Sequence, residues 1–96
     1  MMHNKNTQRT EVNENTVVNV TPTAFLNTVH LRKHSTCHWS ANTAGVVNVE
    51  ITKHKEAEWV EFDFTETNLE TGHEKRVMLS LKKYEVEALK LALNNL

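Results

Sequence analysis

Val60, Phe62 and Phe64 alternate with Trp59, Glu61, Asp63 and Thr65. A period of two puts alternate side chains on opposite faces of an extended strand. On a helix the same residues would scatter around the circumference, so this stretch commits its part of the chain to a sheet. The pattern recurs on both sides. Val47, Val49 and Ile51 alternate with Val46, Asn48, Glu50 and Thr52, and Val77, Leu79 and Leu81 alternate with Arg76, Met78 and Ser80. Strands are therefore expected near 46–53, 58–66 and 75–81. The turn at 40–45 contains Gly45, the residue expected to take a positive φ there, and the longer turn at 66–73 contains Gly72 for the same purpose.

From Lys82 onward the chain holds good helix formers and neither Gly nor Pro. Val86, Leu89, Leu93 and Leu96 recur at three and four residues, which marks one helical face. A helix is expected near 82–95, capped by Ser80 or starting a residue or two later. One-faced strands followed by an amphipathic helix imply an α+β fold: a small antiparallel β-meander covered by the C-terminal helix.

The N-terminal half is more ambiguous. Thr21 and Pro22 suit a helix start. Val29, Leu31, Cys37 and Trp39 nevertheless share odd positions, while His30, Arg32, His34 and His38 share even ones. The expectation is a short helical turn near 22–28 followed by extended chain over 29–40. Residues 1–16 are polar and aperiodic and read as a disordered tail, leaving residues 17–96 as a single α+β domain.

At 96 residues, 39% hydrophobic and 24% charged, the composition is that of a small globular protein. A chain this short buries only about 60–65% of its unfolded surface, which argues against a large internal substrate cavity. No run of about 18 apolar residues exists to span a membrane. No apolar stretch follows the N-terminus, so a secretory signal is not expected. Cys37 is the sole cysteine, which fits a reducing compartment and points to the cytoplasm. Abundant Asn and Thr with little Gly or Pro suggests an AT-rich or mobile-element genome.

The net charge is −1, yet residues 17–55 carry +3 without counting four histidines, and residues 56–96 carry −4. Such segregation creates a field across a small domain unless the two halves interleave in space.

Three constellations follow. Trp59, Glu61 and Asp63 share the outer face of the best-patterned strand. An aromatic among outward acids marks a contact surface, and Trp39 joins it as a candidate partner-binding residue. Glu61 and Asp63 lie about 6–7 Å apart on that strand, with Arg76 or Lys53 as candidate cross-strand partners; no pocket or motif makes them an acid–base pair. Arg32, Lys33 and His34, extended by Lys53 and Lys55, form a basic segment suited to single-stranded nucleic acid. His30, His34, Cys37 and His38 carry the donor types that zinc takes, without a recognised ligand spacing. No nucleophile motif or phosphate-binding loop is present, so neither an enzyme nor a cofactor is expected.

The alternation over 59–67, the turn at Gly72 and the run Lys75, Arg76, Val77, Met78, Leu79, Ser80, Leu81 leading into a helix resemble, in element order, the small single-stranded-DNA-binding coactivator family. The resemblance spans under half the chain and implies a sheet closed by a helix, with nucleic acid as ligand. The residues themselves favour a non-enzymatic protein acting by protein–protein interaction, such as an accessory or inhibitor protein of a phage or similar element. Homodimerisation through an exposed sheet edge or the helix accompanies that reading. Nucleic-acid binding and metal binding are the alternatives.

Overall fold

The computed structural model describes residues 7–39 and 42–96. Six strands precede one helix: β1 (Gln8–Asn13), β2 (Thr16–Pro22), β3 (Leu26–Thr36), β4 (Ala44–His54), β5 (Trp59–Asn68), β6 (Glu74–Lys82) and α1 (Lys83–Asn94). The strands form one antiparallel sheet in chain order. The fold is thus an α+β meander with a C-terminal helix, and the three alternating stretches are β4, β5 and β6.

The N-terminal half is more ordered than its composition suggests. Gln8–Asn13, expected within a disordered tail, pairs with β2 as an edge strand; residues 1–6 of that tail lie outside the described residues. The hairpin forms because Asn13 Oδ1 accepts the Asn15 amide at 2.8 Å, a side-chain turn that needs no apolar residue. The helical turn expected near 22–28 does not form. Thr23 instead closes a tight turn, its amide donating to the Leu26 carbonyl and its hydroxyl accepting the Leu26 amide. Those local bonds compete with helix and release β3 directly into the sheet.

Gly45 also differs from expectation. It lies inside β4, and the left-handed residue of the preceding turn is Asn42, with φ 63°; Asn tolerates that region. Gly45 is needed for clearance instead, since a Cβ there would stand 3.0 Å from Cys37 Cα. Gly72 takes φ 76°, as its turn requires.

The register sorts the side chains into cross-strand rows. On one face Val20, Val29, Ile51, Phe62 and Leu79 align, and beside them Val18, Leu31, Val49, Phe64 and Val77. Gln8 and Thr10 extend these rows onto β1. A border row brings Lys33, Val47, Glu66 and Lys75 together. The opposite face is polar, with rows such as Arg9, Asn19, His30, Glu50, Asp63 and Met78.

The apolar face is covered only at its ends. Cys37 folds over Gly45 at one end and is buried. At the other end α1 lies beside Val60, and among the described residues it touches only β5 and β6. Glu85 accepts the Lys82 amide at 2.7 Å, which makes Lys82 the N-cap, two residues beyond Ser80. None of the helix residues is buried. Between the two covers, Phe62 is buried while Phe64, Val77 and Leu79 stay exposed. Of Val60, Phe62 and Phe64, the strand's inward set, Phe62 alone is fully inside.

The two glycines make separable predictions. Gly45→Ala forces Cys37 backbone to move and is expected to cost about 1–3 kcal/mol. Gly72→Ala meets no neighbour but must hold a left-handed conformation, costing about 1–2 kcal/mol. Urea unfolding should also show that Cys37→Ala leaves the Gly72 cost unchanged.

Candidate binding surface on the polar sheet face

The polar face divides by charge. On β1–β3 it presents Arg9 and Glu11, paired at 3.2 Å, with His30, Arg32 and His34; on β4 and β5 it presents Glu50, Glu61 and Asp63. The charge segregation along the sequence therefore survives in space, because a meander in chain order keeps early strands on one side and late strands on the other.

Glu50 and Asp63 are register partners, and Thr52 and Glu61 are the next pair on this face. Together with Met78 and Ser80 these residues line a shallow, open depression of about 320 Å³. Two carboxylates directly opposite each other repel. Arg76 relieves this from β6: its Nε donates to Asp63 Oδ1 at 3.0 Å and its Nη2 bonds Asp63 Oδ2, a bidentate clamp. The hydrogen bonds from Arg76 hold the Asp63 carboxyl below its ordinary value; slight desolvation opposes them, and the guanidinium charge adds to the lowering. Asp63 reciprocally raises Arg76. Glu50 and Glu61 form no salt bridge among the described residues. Trp59, 47% exposed, and Met78, 66% exposed, add apolar surface to the same face.

The other candidate residues separate. Trp39 lies toward the opposite end of β5 from Trp59. Its ring meets His73 edge-on at 5.2 Å, with Lys75 Nζ 4.8 Å from the ring centre. Its indole N–H is buried without an acceptor among the described residues. Of the basic segment, Arg32 and His34 face the polar side, whereas Lys33 and Lys53 face the apolar side near opposite ends of the β3–β4 ladder. Lys53 Nζ is occupied by the His54 and Ala57 carbonyls, and Lys55 follows the end of β4.

The histidine cluster does not converge either. His30 Nε2 bonds Asn48 Oδ1 at 2.9 Å on the polar face. Cys37 covers the apolar face, its thiol donating to Glu66 Oε1 at 3.6 Å, and the His38 amide donates to the same oxygen. Among the described residues no group of three or more His, Cys, Asp or Glu is placed to hold a metal ion. No described helix is long and apolar enough to cross a membrane.

Glu50 and Met78 join the depression without having stood out in the sequence. Their membership depends on strand register, which no local pattern encodes. No protein-family model, curated protein or solved structure matches this chain.

The clamp predicts a pH signature. Arg76→Met should raise the Asp63 pKa, read by carboxyl NMR titration. The clamp's contribution to stability is present above the ordinary value of 3.8 and is lost as pH falls through the lowered folded-state value. The stability gap between wild type and Arg76→Met should therefore narrow on acidification across that window.

Proposed function

We propose that this is a non-enzymatic binding protein that captures another protein through the polar face of β4–β6. The observation that supports this most is the open depression in which Glu50 and Glu61 form no salt bridge among the described residues and stand beside exposed Trp59 and Met78. Carboxylates outside a salt bridge attract and orient a cationic partner, and a flanking aromatic supplies contact area and a face for cation–π packing. Asp63 is committed to Arg76, so its role is to hold the rim while Glu50 and Glu61 meet the partner. The partner this chemistry suits is a protein segment rich in lysine or arginine. Blocking such a segment by occlusion or charge mimicry fits an accessory or inhibitor protein of a phage or similar element, acting in the cytoplasm.

Binding to an array of lysine- and arginine-rich peptides tests the reading. Wild type should bind a subset, with affinity falling as salt rises. Trp59→Ala and Glu61→Lys should each weaken binding at least tenfold while both variants still unfold cooperatively, with Glu61→Lys within about 0.5 kcal/mol of wild-type stability, as its exposed position allows. Unchanged binding by both variants would remove the surface assignment. A salt-sensitive shift of single-stranded oligonucleotide, lost in Arg32→Ala, would favour the nucleic-acid reading in its place.

A further inference from the structure

We infer that the apolar face of the sheet is a dimer interface, covered by the same face of a second copy of this chain. A sheet with one apolar face needs a second layer to bury it. Here the second layer is missing from the middle: of the three apolar side chains buried among the described residues, Cys37 and Phe62 lie on this face and Val46 pairs with His34 and Thr67 on the other. In the two central rows Val77 is 58% exposed and Leu79 41%.

The area agrees with a dimer. A compact monomer of 11.1 kDa exposes about 5,650 Å². This chain exposes 7529 Å², roughly 1,900 Å² more. That excess belongs to a sheet with two open faces, and an obligate homodimer, which buries roughly 1,000 Å² or more on each subunit, fits within it. The radius of gyration, 15.2 Å, also exceeds the roughly 12.5 Å of a compact chain of this length, as a single sheet layer does.

The chemistry of the face selects a copy over a foreign partner. Its central rows hold no charge, so they offer nothing that distinguishes an unlike partner. Its border row carries both signs, Lys33 and Lys75 with Glu66; Glu66 Oε1 is held by Cys37 and His38 and Lys75 stands over Trp39, so a two-fold partner meets a rim already balanced in charge, which suits a like face. The cover is needed whenever the chain folds, and a second copy is always present then. Two such faces pack as sheets about 10 Å apart with strands roughly aligned. Both polar faces then point outward, and the dimer presents two copies of the binding surface.

Sedimentation of the full chain should give a species near twice 11.1 kDa, with a melting temperature that rises with protein concentration. In NMR, the Val77 and Leu79 methyls should be shielded from a soluble paramagnetic probe while the Met78 methyl on the opposite face is bleached. Val77→Lys should weaken dimerisation at least a hundredfold, and Met78→Lys should leave it unchanged. A monomer with a concentration-independent melting temperature overturns the inference. So does a dimer whose Val77 and Leu79 methyls are bleached, or a Val77→Lys protein that dimerises normally. If Val77→Lys fails to fold, methyl shielding in the unsubstituted protein decides alone. No peptide enters these readouts, and Met78, on the peptide-binding face, serves only as the control.

Discussion

The ladder between Leu26–Thr36 and Ala44–His54 carries the rest of the structure. It pairs two strands of eleven residues without a break, and every other strand adds outward from it. Side-chain period in a strand is two, so a slip of one residue would exchange the faces. Leu31 would then lose Val49 as its partner, and His30 and Arg32 would turn toward Val49 and Ile51. The placement of apolar residues against apolar residues along this pair holds the register, and the register in turn sorts the whole molecule into one apolar face and one polar face.

That sorting explains why charge gathers where it does. A meander in chain order maps sequence position onto lateral position, so the histidines and Arg32 of β3 stay apart from the carboxylates at the β4–β5 depression on the polar face. The cost is close approach of like charges, seen at Glu50 and Asp63. Arg76 offsets it by taking Asp63 in a two-pronged bond and leaves the remaining carboxylates facing solvent. The same economy leaves the other face incomplete. A twelve-residue helix spans about 18 Å, and α1 accordingly touches only the two strands nearest the chain end.

Individual residues show where local pattern suffices and where it does not. Trp59, Glu61 and Asp63 share a face because alternation within one strand says so, and that was legible. Glu50 and Met78 come to the same depression only through pairing across three strands. Trp39 looked like a companion of Trp59 because both are tryptophans on extended chain. It stands instead beside His73 and Lys75, toward the far end of β5, since the chain doubles back between β3 and β4. Gly45 looked like a turn residue from its neighbours, yet its lack of a side chain serves the approach of Cys37.

The alternating strands, the C-terminal helix and the identity of the two faces of β5 are encoded locally, because they follow from periodicities within a few residues. Tertiary structure alone decided that Gln8–Asn13 joins the sheet, that the 22–28 segment turns without becoming helical, and which charges meet on the polar face. It also decided how much of the apolar face the helix leaves uncovered. Those outcomes depend on hydrogen bonds between distant strands and on the reach of one short helix, and neither is written in local pattern.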